Sequence, residues 1–190
     1  MTDPTATAEQ RAAAIAQVID FWRQAGPAKW FAKDPAFDDD FRRRFADQHD
    51  AAADGRLDEW ADSAEGCLAF IILLDQFPRN CFRGTARSFA TDDAARALAD
   101  KAVDQGFDTT VDASLRAFLY LPFMHCEDIG VQDLCVALCE EIGDPQTTRF
   151  AIMHRDIIAR FGRFPHRNAI VGRQSTDEEL AFLESGGFGG

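Results

Sequence analysis

Cys67-Leu68-Ala69-Phe70-Ile71-Ile72-Leu73-Leu74 is the stretch on which the fold turns. It carries no polar residue, and it falls far short of the ~20 apolar residues that cross a bilayer. Asp62 and Glu65 stand before it with the spacing of a helix-capping pair, and Pro78 closes it. The spacing predicts one helix from about residue 62 to Pro78, apolar on every side and therefore buried at the centre of a core. Such a helix must be wrapped by others.

The flanking sequence supplies them. Thr7 with Gln10 caps a helix that runs through Ile15, Val18, Ile19 and Trp22 to Gly26-Pro27. Asp34-Pro35 starts another, with Phe37, Phe41 and Phe45 along one stripe and Gly55 beyond its end. Thr91 opens a fourth, stopped by Gly106, and a fifth is predicted over about Val111 to Met124, kinked or ended by Pro122. Ile129 to Ile142 reads as a sixth, stopped by Gly143. Asp144-Pro145 begins a seventh that reaches Phe161-Gly162, and Ser175 with Glu178 caps a short last helix. Strand signals are nearly absent. The expectation is all-α, seven to eight helices with short connections and hence antiparallel neighbours. Stacked helical pairs and an irregular bundle both fit, since no 34-residue period is evident. Residues 1–184 are expected to form a single helical domain, followed by a flexible glycine-rich tail, 185–190.

Composition narrows the function classes. Twenty basic and 32 acidic residues give a formal charge of −12, which repels nucleic acid and anionic membrane, so neither is expected as a partner. Met1 to Arg11 is polar, without the pattern of a secretory signal. The five cysteines, 67, 81, 126, 135 and 139, form no Cys-x-x-Cys pair. A reduced, cytoplasmic chain without structural zinc is the simplest expectation. No metal and no cofactor are expected.

Polar residues depart from the structural pattern in four places. Asp75 follows the apolar run at the C-terminal end of its helix, where the dipole disfavours an anion. It needs a partner, and Arg79 and Arg83 are near in sequence. His154 falls at the centre of an apolar face with Met153, Ile157, Ile158 and Phe161, as a core histidine or as a ligand or base. His125-Cys126-Glu127-Asp128 puts three proton carriers in one turn, where Asp128 also serves as an N-cap. Finally, Arg149, Arg155, Arg160, Arg163, Arg167 and Arg173 crowd 25 residues that hold a single acid, Asp156. Guanidinium groups suit carboxylate and phosphate. They also serve to neutralise Asp75, Glu127 and Asp128 within a fold.

Two of these places share a motif. Phe77-Pro78-Arg79-Asn80 recurs, with one insertion, as Phe164-Pro165-His166-Arg167-Asn168. Each follows a predicted helix and presents an Arg and an Asn. Side by side, the two segments would line one pocket with Arg, Asn and His, although Pro-x-Asn also makes ordinary turns.

The chain resembles the bacterial family called domain of unknown function 924, over roughly Val18 to Leu183. The resemblance rests on Trp30-Phe31 with Asp34-Pro35-Ala36-Phe37-Asp38, on Leu74 to Asn80 followed by Phe82-Arg83-Gly84-Thr85, on Ala117 to Pro122 leading into His125 and Glu127-Asp128, and on His154 to Asn168. Cys126 and Leu134 depart from the family pattern, which has Ser and Arg there. The resemblance implies tetratricopeptide-like stacked helical hairpins and no particular activity.

Three functions stand, in this order. The first is a binding module in which Arg79, Asn80, Arg83, His154, Arg163, Arg167 and Asn168 hold an anionic small molecule or peptide. The second is a small enzyme using Asp75, His125, Glu127 and His166 for hydrolase-type acid–base or metal-assisted chemistry. The third is a purely structural polar cluster.

Overall fold

The computed structural model describes residues 7–189, and its internal contacts gather into two compact units. The first comprises residues up to 83 together with 87–122, and the second 84–86 with 123–189. Residues 1–6 of the expected domain and Gly190 of the expected tail lie outside the described residues. Among the described residues the regular structure is entirely helical. None of these helices is long and apolar enough to cross a membrane.

The first unit starts with α1 (Ala8–Ala25), whose Thr7–Gln10 capping box forms as expected. The short α2 (Pro27–Trp30) follows, then α3 (Pro35–Ala53), with Asp34 accepting from Ala36 and Phe37 N–H. The core is aromatic. Trp22 and Phe41 are fully buried with ring centroids 5.4 Å apart, Phe41 meets Phe77 edge-on at 5.0 Å, and Phe118 stands perpendicular to Trp22 at 5.4 Å. Removing one such ring from a close-packed core costs about 3–5 kcal/mol.

The apolar run forms α4 (Ala64–Ile71), capped by Ser63 rather than Asp62. Pro78 does not end it. The helix widens into one π turn, Ile72–Gln76, and continues as α5 (Phe77–Cys81). At the widening the Phe77 N–H reaches back five residues to the Ile72 carbonyl, just before a proline that has no N–H to donate. Two carbonyls on this turn then find side chains. Leu73 O contacts His49 Nδ1 at 2.9 Å, and Leu74 O, four residues before the proline, accepts from Thr91 Oγ1. Thr91 thus leaves its capping position without a side-chain cap as it starts α6 (Asp92–Asp104).

The fifth helix expected over Val111 to Met124 is absent. Short 3₁₀ turns at Phe107–Thr109 and Arg116–Leu119 take its place, followed by α7 (Leu121–Met124). Asp112 Oδ1 accepts from both Ser114 N–H and Ser114 Oγ, a local ring that competes with helix formation. The buried Tyr120 hydroxyl donates to Asp108 at 2.6 Å and anchors the irregular stretch to the core.

In the second unit α8 (Ile129–Ile142) and α9 (Pro145–Phe161) make a helical hairpin through Gly143, which is left-handed, and Asp144, which caps α9. Gln132, without exposed surface, donates to Met124 O (2.8 Å) and Cys126 O (2.7 Å), so one side chain holds the turn before α8. Gly162 ends α9 in a left-handed conformation, a 3₁₀ turn (Pro165–Arg167) follows, and α10 (Asp177–Glu184) closes the unit. Its capping box is Thr176 with Glu179, one residue after the expected pair.

Candidate functional site

In the first unit the Phe-Pro-Arg-Asn residues enter a buried ionic network. Asp75 has no exposed surface, and Arg79 Nη1 lies 2.9 Å from it. The same guanidinium makes a two-pronged pair with Asp92 at 2.8 and 3.0 Å. Burial works against the Arg79 charge, but Asp75 and Asp92 outweigh it and raise its pKa. Asn80 donates to Asp38 at 2.8 Å, and Arg83 pairs with the same carboxylate through Nε at 2.9 Å. Every charge in this group faces an opposite one.

The second unit repeats the device with other residues. Glu179, 2% exposed, accepts from Arg163 Nε (2.6 Å) and Nη2 (2.8 Å), Thr176 N–H (2.7 Å) and Asn168 Nδ2 (3.2 Å). The Arg163 hydrogen bonds come first in holding its pKa down to about 2. Glu127 is opposed by burial, yet its pKa is lowered by Arg173, paired at 2.6 and 2.9 Å, and by the Phe164 N–H at 2.8 Å. A shallow surface groove of about 370 Å³ lies beside this hub, lined by Arg160, Phe161, Arg163, Thr176, Glu178 and Glu179.

A different arrangement surrounds Phe164. His154 projects from the buried face of α9, with its ring 6.3 Å from His125, 5.6 Å from Phe164 and 4.6 Å from Phe188. His166, the residue inserted in the second motif, lies 5.7 Å from Phe164 and 5.3 Å from Phe188. Arg167 is buried, sits over the Phe164 ring at 4.6 Å and donates to the His125 carbonyl at 3.0 Å. Two of the chain's four histidines therefore pack on two phenylalanines, and a third, His125, stands against one of them. Burial first, then the neighbouring His125, lowers the His154 pKa to about 3, so the imidazole is neutral near pH 7. His154 Nδ1 is 2.8 Å from the Phe150 carbonyl. A carbonyl only accepts, so the proton is on Nδ1 and the Nε2 lone pair is turned the other way.

The structure thus distributes the candidate residues over two units. Asp75, Arg79, Asn80 and Arg83 belong to the first, and His125, Glu127, His154, Arg163, His166, Arg167 and Asn168 to the second. Within the second, His125, His154, His166 and Arg167 come together, while Arg163 and Asn168 share Glu179 and Glu127 holds Arg173. Sequence reasoning missed Asp38, Asp92, Gln132, Glu179 and Phe188. Asp38 carries a readable signal, because it lies on the stripe of Phe41 and Phe45 at i, i+3, i+7, where a carboxylate needs a partner. Glu179 was concealed by a one-residue error in the cap. Phe188 sits among glycines, where composition suggests no order.

The model of a bacterial family of unknown function, DUF924, matches residues 18–187. A solved structure of a protein of unknown function from Agrobacterium tumefaciens is 53% identical, with a TM-score of 0.89, covering 92% of this chain and 98% of its own. No curated protein matches.

Proposed function

We propose that this chain, which belongs to the DUF924 family of bacterial proteins, is a binding module whose site is the histidine–arginine cluster of its second unit. The ligand is an anionic small molecule or an anionic group on a peptide. One observation carries the reading: His154 and His166 both pack on Phe164 and Phe188, His125 stands against His154, and the buried Arg167 lies over the Phe164 ring. The Arg167 guanidinium supplies a charge that does not titrate.

The acid–base reading draws less support. Glu127 has both oxygens engaged by Arg173 and the Phe164 N–H, and Asp75 is held by Arg79. The experiment is a thermal-shift series with inorganic phosphate, acetate and citrate at pH 6 and 8, on the wild-type chain and Arg167→Ala. Stabilisation of the wild type at both pH values, lost in Arg167→Ala, is the expected result. Stabilisation that persists unchanged in the variant would sink the reading.

A further inference from the structure

Beyond Glu184 the chain folds back on the end of α10. Ser185 N–H donates to Ala181 O at 3.0 Å, Gly186 N–H to Leu183 O at 3.2 Å and Gly187 N–H to Phe182 O at 3.0 Å. Two of these positions demand glycine for separate reasons. Gly186 has φ of +83°, a region that side chains rarely adopt. A Cβ on Gly187 would lie 2.6 Å from the Phe182 carbonyl oxygen and from its ring. The turn delivers one side chain, Phe188, which lands edge-on against His154 at 4.6 Å and His166 at 5.3 Å. It packs there on the small core of Ile157, Ile158 and Phe164.

A glycine arm is a costly means of adding one ring to a core, because glycine loses the most backbone freedom on ordering. It suits a ring that docks and undocks. Phe188 meets two imidazoles edge-on and three apolar side chains, the mix of a site that takes an aromatic side chain and orients it.

We infer that Phe188 is a built-in occupant of an aromatic-accepting slot over His154 and His166, and that the external ligand of this slot is a polypeptide segment bearing an exposed phenylalanine, which displaces the Gly186–Gly189 arm. The inference rests on the cluster being a binding site and names the part of the ligand that the anionic reading leaves undefined. The arm holds its ring at an effective concentration on the order of millimolar, so an incoming segment meets an intramolecular competitor.

The test uses the full chain and N-acetyl-phenylalaninamide, which has a ring and no charge, with N-acetyl-alaninamide as the control. Two variants open the slot by different routes. Phe188→Ala removes the occupant, and Gly187→Ala keeps it but blocks the turn. Affinity is read by titration calorimetry, and the site by the imidazole NMR signals. Both variants are expected to bind the phenylalanine probe about tenfold or more tightly than wild type, with shifts confined to His154 and His166 and none from the alanine probe. Equal affinity in all three proteins, no binding by the variants, or binding that leaves these signals unmoved overturns the inference. Loss of the fold in both variants also overturns it, since Phe188 would then be core and not a replaceable occupant. Failure of the anionic reading is seen separately, as absence of stabilisation by phosphate, acetate and citrate in every protein.

Discussion

The two Phe-Pro-Arg-Asn segments have the same letters and different backbones. Phe77-Pro78-Arg79-Asn80 is helical, and Phe164-Pro165-His166-Arg167-Asn168 is a 3₁₀ turn. What precedes them makes the difference. Gly162 takes a left-handed conformation and stops α9, whereas no glycine stands between Cys67 and Phe77, and the helix widens at Ile72–Gln76 just before the proline. Both asparagines nevertheless reach the same chemical answer. Asn80 shares Asp38 with Arg83, and Asn168 shares Glu179 with Arg163. The remaining arginines differ: Arg79 bridges the carboxylates of Asp75 and Asp92, and Arg167 donates to the His125 carbonyl, lies over the Phe164 ring and helps to lower the pKa of Glu127. A motif match therefore identifies which residues seek partners and leaves open what those partners are.

The largest expected effect breaks the first segment. Arg79→Ala leaves Asp75 wholly buried beside Gln76 and without the Arg79 charge, and it should destabilise the first unit by about 3–5 kcal/mol. Trp22, Trp30 and Trp60 all lie in that unit, so urea unfolding followed by tryptophan fluorescence reads it alone. A loss below about 1 kcal/mol would show that the network carries little energy.

Helix positions were legible wherever a cap, a proline or a glycine acted locally, as at Thr7, Asp34, Gly143 and Asp144. Pro78 was read as a helix end because the partners of the Leu73 and Leu74 carbonyls, His49 and Thr91, are distant in sequence. The span 111–124 was misread because Asp112 and Tyr120 find partners that outcompete helix propensity. The candidate residues were found because polar groups on apolar faces are visible in a sequence. The pairing of Asp75 with Arg79, four positions on, was legible as well, but the other pairs were not, since Asp38 lies 45 positions from Arg83 and Glu179 lies 16 from Arg163.

A smaller effect is expected at the matching pair of the second unit. Arg163→Ala should cost about 2 kcal/mol, because Glu179 keeps the Thr176 N–H and Asn168 as donors. The unit contains no tryptophan, so far-UV circular dichroism or hydrogen exchange is the readout. Equal costs for Arg79→Ala and Arg163→Ala would erase the contrast between the two segments. Acid sharpens the same point. The folded-state pKa of Glu179, about 2, lies below that of a free glutamate. Its contribution is thus complete above about pH 4.5 and is lost as pH falls toward 2. Glu179→Gln should be less stable than wild type at pH 7, and the gap should close across that window.

His154 gives a similar slope in a neighbouring window. The unfolded chain protonates this residue near pH 6.5, while the folded one resists until about pH 3. The unfolded state then binds more protons between those limits, so falling pH destabilises the fold by roughly 1 kcal/mol per pH unit. His154→Gln should remove that slope, seen as the difference in unfolding free energy from wild type between pH 6.5 and 5, above the Glu179 window. A difference constant with pH would mean that His154 titrates as a solvated imidazole.

The smallest effect bears on why one proline lies within a helix and the other follows one. Leu74 O stands four residues before Pro78, which has no N–H to give it, and Thr91 Oγ1 donates instead. Thr91→Val keeps the shape and removes the donor, so a buried carbonyl loses its partner at a cost of about 1 kcal/mol. Pro78→Ala restores an N–H at the place where the helix is interrupted. If the π turn is the consequence of that missing donor, the valine substitution should cost measurably less in the Pro78→Ala background. The double-mutant cycle isolates this coupling. Additive costs would mean that the turn is set by Asp75 and Arg79, whose ionic bond spans it, and that the proline is tolerated there without having shaped it.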